Sequence, residues 1–268
     1  MSAVRDALAS PQRALQSQAL VQSLLDKGPV PGPQREFLIN GWRWHSRSVL
    51  RDVRRFKEVA KRERRELMTG VEGPSRLPAC YDFFWSFSWV ALLKIESDIF
   101  YPFLRKTLPK DLRPVLDDLE EQGRQVATLG QRLGLVLQAF RDPSSSPSSP
   151  PPSLPSSSSS HLARLDDALA LAGELEVRAE GLIDQQEEVL VPVVAAYLTG
   201  REQKKFNNKV IASLGIFNSR VHLVSMAEAV RGDAVEEMKF KGQIPGIAQA
   251  LLGRWRERLY RPLAVCLE

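Results

Sequence analysis

Through most of this chain apolar residues return every three or four positions, and no stretch alternates apolar with polar residues beside hairpin turn chemistry. That period gathers side chains on one face of a helix, so the pattern predicts an all-α protein with little or no sheet. From about residue 34 to 67 the stripe is Leu38, Trp42, Val49, Val53 and Phe56, and His45 falls in register between Trp42 and Val49. From 79 to 107 it is Trp85, Trp89, Leu92, Ile99 and Phe103, with Glu96 in the stripe and so aimed at the core. From 112 to 140 it is Leu116, Leu119, Val126, Leu133 and Leu137, with Gly123 and Gly130 in register. From 161 to 198 it is Leu175, Ala179, Leu182, Val189 and Val193 around Gln186. Four amphipathic helices with mostly short connections imply an antiparallel four-helix up-down bundle. Two additional C-terminal helices, 201–230 and 247–260, are expected to pack outside it, the second ended by Pro262.

Breaks in the pattern divide the chain. Pro143 to Ser160 comprises eleven Ser, six Pro and one Leu, too little apolar surface to offset the entropy of ordering, so a disordered loop is expected. The run from Lys27 to Pro33 (KGPVPGP) separates residues 1–33, a flexible or weakly helical appendage, from the bundle region 34–230. Residues 231–268 form a C-terminal helical extension packed on the bundle. Further breaks at Gly70–Pro78 and Leu108–Pro114 set helix lengths.

Charge and cysteine usage exclude several function classes. Lys plus Arg exceed Asp plus Glu by 37 to 32, a basic excess too mild to point to a nucleic-acid or membrane partner. The basic run from Arg47 to Arg65 contains Asp52, Glu58 and Glu63 and no interleaved aromatic platform. It reads as a solvated, charge-compensated helix face, so nucleic acid is not expected as a partner. The longest apolar run, Phe83 to Leu93, falls far short of the roughly 20 residues a membrane span needs. Cys80 and Cys266 lie in no CxxC or His/Cys spacing, which suggests neither a zinc site nor a disulfide framework and fits a reducing, cytoplasmic setting. Residues 2–25 carry Arg5 and Arg13 against one acid, Asp6, so an organellar transit peptide is the alternative. No Gly-rich phosphate loop, Ser-His-Asp set or nucleophilic Cys beside a base is visible, and no enzymatic activity is expected. His161 and His222 have no ligand spacing and read as surface residues, and the aromatic cluster Tyr81–Trp89 reads as core.

One long-range similarity narrows the reading. LLKIESDIFYPFL, starting at Leu92, aligns with LIDQQEEVLVPVV, starting at Leu182, at an offset of 90 residues. Both carry Leu-x3-Glu/Gln-x5-Pro, which puts 92 with 96, and 182 with 186, on one helical face. In each, the proline six residues on is expected to end or kink the helix. These segments, with NGWRWHSRSVLRDVRRF around His45 and LEEQGRQVATL around Gly123, resemble the four helical motifs of the hemerythrin family, the HHE cation-binding domains, over about residues 34–230. The resemblance implies a four-helix bundle whose histidines and carboxylates hold a non-haem di-iron centre.

Carried over residue by residue, His45 and Glu96 stand at family ligand positions. Leu92, Gly123 (or Gln122) and Leu182 stand where the family has histidines, and Gln186 where it has a glutamate. Leucine and glycine offer no side-chain lone pair, so the expected cofactor is none, with iron as the alternative. The expectation is a hemerythrin-like domain that has lost most di-iron ligands and serves as a non-enzymatic scaffold or interaction module for a protein partner. The alternative is an iron or oxygen-related binder using His45, Glu96 and nearby acids such as Asp98, Glu187 and Glu188. A hydrogen bond between His45 and Glu96 would meet the cost of burying the carboxylate. A third possibility is a small apolar ligand in the space left opposite Gly123 and Gly130.

Overall fold

The computed structural model describes residues 15, 18–26, 36–71, 73–141 and 157–268, the side chains of 157–159 and 216 excepted. The expectations for most of the transit segment (all but residues 15 and 18–25), for the Gly/Pro break and for residues 143–156 fall outside these residues. Every regular element among the described residues is helical, in agreement with the all-α expectation. None of these helices is singly long and apolar enough to cross a membrane.

Helix α1 spans Asn40–Met68. Helix α2 is one helical run over 77–107, in which α-helical turns alternate with π-helical ones at Asp82–Trp89 and Glu96–Phe100. Helix α3 is Arg113–Arg141. Helix α4 is Ser157–Tyr197, so it begins inside the serine run that the sequence assigns to a disordered loop. Then follow α5 (Gly200–Leu214), α6 (Ile216–Ala229) and α7 (Ala234–Gln243). The last run, α8 over 246–264, is continued by a closing 3-10 turn, Val265–Leu267.

Prolines do not stop these helices where the sequence predicts. Pro102 and Pro262 each lie just after a π-helical turn, Glu96–Phe100 and Arg256–Tyr260. Proline cannot donate to the carbonyl four residues back and its ring clashes there. Widening the preceding turn is how the chain carries the helix past it. Helix α4 runs through Pro192 to Tyr197. The expected single helix over 201–230 is instead two, bent by 117° at a break that includes Gly215. Gly215 has φ of +71°, a conformation that favours glycine because it lacks a Cβ.

Ion pairs give the relative direction of α1 and α4. Arg43 and Arg47 bond Glu187 at 2.9 and 2.8 Å, Arg54 bonds Glu176 at 2.9 Å, Lys57 pairs with Glu176, and Arg64 with Asp166. As the cations climb α1 from 43 to 64, their partners descend α4 from 187 to 166, as two antiparallel helices require. The basic run of α1 is therefore compensated by acids of α4 as well as by its own Asp52 and Glu58. Asp52 is no part of a solvated face: it is fully buried and bonded by Arg51, which also reaches the Tyr260 hydroxyl at 2.8 Å. Along α2 and α3, Arg105 bonds Asp117 at 2.7 Å while Arg141 pairs with Asp82, again antiparallel. Helix α4 packs against both α1 and α3.

The C-terminal helices cover α1 rather than hanging from it. α6 packs along α1, and α7 brings Glu236 to the Trp44 indole N–H at 2.8 Å. Buried Gln203 on α5 accepts from the Leu38 amide at 2.6 Å and donates to the Glu36 carbonyl at 2.9 Å, fastening the strand of chain that leads into α1. Residues 18–26 are helical, and their Val21 and Leu24 are buried, with the Tyr197 hydroxyl donating to the Leu24 carbonyl.

The two in-register glycines of α3 differ. A Cβ on Gly130 would lie about 2 Å from the Trp85 ring, which is buried in an aromatic stack with Trp89 and Tyr81. The space expected opposite Gly130 is thus filled by indole. A Cβ on Gly123 would meet nothing within 4 Å. Gly130→Ala is expected to destabilise the fold by about 1–3 kcal/mol through overpacking. Gly123→Ala is expected to stabilise it by up to about 1 kcal/mol through helix propensity. Urea denaturation of the two variants beside the parent chain measures both.

Candidate functional site

The two segments related by the 90-residue offset meet inside the molecule. Glu96, from the π-helical turn of α2, is 5% exposed, and Gln186 of α4 is 1% exposed. The Gln186 amide donates through Nε2 to Glu96 Oε1 at 3.1 Å and to the Tyr101 hydroxyl at 2.8 Å. The Trp42 indole N–H of α1 donates to the same Glu96 oxygen at 3.0 Å. Three helices thus converge on one buried carboxylate, and Leu92, Ile99 and Phe100 of the same helix are buried too. Phe100 also lies against Trp42 with ring centroids 4.8 Å apart.

Burial and hydrogen bonding oppose each other at Glu96. Desolvation disfavours the charged form and pushes its pKa up to about 7, while the Trp42 and Gln186 donors work against that rise and Glu120 adds a smaller like-charge push. The carboxyl is therefore poised between protonated and ionised forms near neutrality.

His45 does not join this network. It is buried at 2% exposure, as its register predicts, but its partners are elsewhere. Its ring lies 4.7 Å from that of His222 on α6, and His222 is stacked on Phe87 at 4.5 Å with the planes 5° apart. The anticipated His45–Glu96 hydrogen bond is replaced by the Trp42–Glu96 one, because α6 covers the side of α1 that carries His45. His222, expected at the surface, is fully buried for the same reason. His45 Nε2, His222 Nδ1 and Ser88 Oγ have no hydrogen-bond partner. Burial holds both imidazoles below their ordinary pKa, His222 at about 4 and His45 well below 6.5, so both are neutral at pH 7.

The residues present do not fit a di-iron centre. Leu92 and Leu182 are buried with no donor atom to offer, and Gly123 has no side chain. Gln186 turns its N–H group, not its carbonyl oxygen, toward Glu96. Glu187 faces Arg43 and Arg47. Among the described residues no group of three or more His, Cys, Asp or Glu side chains is gathered so that it could hold a metal ion.

Sequence reasoning missed Trp42 and Tyr101 as polar partners, although both lay in view: Trp42 in the α1 stripe and Tyr101 one residue before Pro102. An indole or phenol in an apolar register reads as packing until a buried acceptor is found for its polar edge. No protein-family model, curated protein or solved structure matches the chain.

A carboxyl with a raised folded-state pKa binds more protons folded than unfolded between about 4.5 and 7, so its contribution to stability falls as pH rises through that window. Glu96→Gln keeps the acceptor oxygen and removes the titration. Its stability relative to the parent chain is expected to increase from pH 5 to pH 8, by about 2.5 kcal/mol for a shift of this size, in denaturant melts at matched ionic strength. An unchanged difference would show that Glu96 is not desolvated. His222 has the opposite sign: its lowered pKa costs stability as pH falls from about 6.5 toward 4. His222→Phe is expected to move the acid-unfolding midpoint, followed by circular dichroism, to lower pH.

Proposed function

We propose that this chain is a hemerythrin-like, antiparallel four-helix up-down bundle, formed by α1 to α4, that has exchanged its cation for hydrogen bonds and acts as a non-enzymatic scaffold or interaction module. The observation that carries this reading is the coordination of Glu96. One carboxylate oxygen accepts from the Trp42 indole and the Gln186 amide, so two N–H donors stand where the family motif would direct a metal. Hydrocarbon from Leu92 and Leu182 takes up two further ligand positions. Removing a cation from a buried cluster leaves polar groups that need partners, and replacing most of them with apolar side chains avoids that cost.

The pairwise directions support the architecture. α1 runs against α4, α2 against α3, and α3 against α4, where Gln122 bonds Gln185 and Phe140 contacts His161. Helix α6 packs along α1, α7 meets its Trp44 and α5 packs on α2, an added layer that supports a role in presenting surface rather than in admitting a small substrate.

Metal analysis decides between this reading and an iron or oxygen-related binder. Chain purified from iron-supplemented cells is expected to hold far less than one iron per molecule, with no visible oxo-bridge absorption. Stoichiometric iron, or such a band, overturns the scaffold reading.

A further inference from the structure

We infer that Cys80 and Cys266 form a thiol pair that a small disulfide oxidises, with Cys266 the attacking sulfur and Cys80 the resolving one, so that the C-terminus becomes covalently fastened to the start of α2. The two lie 186 residues apart in sequence, yet the Cys80 thiol donates to the Cys266 carbonyl at 2.9 Å. The first turn of α2, Leu77–Tyr81, packs directly on the closing turn Val265–Leu267. Both cysteines are free, Cys80 buried and Cys266 partly exposed.

The asymmetry assigns the roles. The Cys80 S–H is fully buried and donates to the Cys266 carbonyl, which keeps it a thiol, whereas Cys266 is partly exposed and its thiol is held below the ordinary value. The contact with Cys266, together with burial, pushes the Cys80 thiol up. The Cys266 thiol donates in turn to the Leu263 carbonyl at 3.3 Å, a bond it gives up on becoming the thiolate. A low-molecular-weight oxidant reaches Cys266 first because it alone has exposed surface.

The chemistry balances without a metal or flavin. The Cys266 thiolate attacks one sulfur of a disulfide R–S–S–R, forming a mixed disulfide and expelling RS⁻, which takes up a proton. Cys80 then loses its proton and attacks the Cys266 sulfur, expelling the second RS⁻, which is protonated in turn. Two protein thiols are oxidised by two electrons and one R–S–S–R is reduced to two R–SH. The product closes a loop from residue 80 to residue 266, and the buried Leu267 beside it is held in place.

The probe is oxidised glutathione, added to the full chain with intact mass and peptide mapping as readouts. The folded chain is expected to lose two hydrogens, carry no adduct and yield a Cys80–Cys266 linked peptide. Formation should be at least about tenfold faster than in denaturant, because folding replaces a long loop closure with a preformed contact. Cys80→Ala is expected to stop at one glutathionyl adduct on Cys266, and Cys266→Ser to take none while folded. The parent-chain measurement stands by itself if either variant unfolds. A cross-link no faster than in denaturant, a stable adduct on Cys266 of the parent chain, or modification of Cys80 first overturns the inference.

Discussion

Glu96 is the point on which the interior depends. A carboxylate taken out of water is costly unless something compensates it, and here the compensation comes from two neutral N–H groups on two other helices. Those bonds fix the rotation of α1, α2 and α4 about their axes at one level, since Trp42, Glu96 and Gln186 must all point to the same spot. The packing above and below follows from that rotation. Val49, Val53 and Phe56 continue the α1 stripe inward, and Val189 and Val193 continue that of α4. If Glu96 faced solvent, each of these helices would be free to turn.

The fold class was legible because helical periodicity is a strong signal over 29 to 41 residues, and the ends of α1, α3 and α4 lie close to the breaks in that periodicity. The convergence of 96 and 186 was legible from the 90-residue repeat alone. What surrounds that pair was not. The second buried face of α1, which carries Trp44, His45, Ser48 and Asp52, exists only because α6 and α7 lie over it, and periodicity within α1 does not say which neighbour will arrive. His222 was misread for the same reason.

Other misses had signals that went unused. Helix α7 opens with Asp233 and Glu236, an N-cap followed three residues later by a glutamate, and Asp233 does accept from the Val235 and Glu236 amides. On sequence alone the last helix ends at Pro262 and an end or kink is expected at Pro102, because proline's cost is weighed against an α-helix only. A π-helical turn before each proline supplies the extra residue that lets the backbone bonds step around it. The meeting of Cys80 and Cys266 had no sequence signal, since the contact depends on how the last turn returns to α2.

The ladder between α1 and α4 has an electrostatic corollary for the whole molecule. By tying the basic run of α1 to acids of α4, it leaves that side nearly neutral at a distance. Residues 200–268 hold twelve Lys and Arg against seven Asp and Glu, a difference equal to the formal excess of the entire chain. The long-range field thus originates in the C-terminal layer, and an acidic body diffusing toward this protein would be drawn to that end and away from the paired helices.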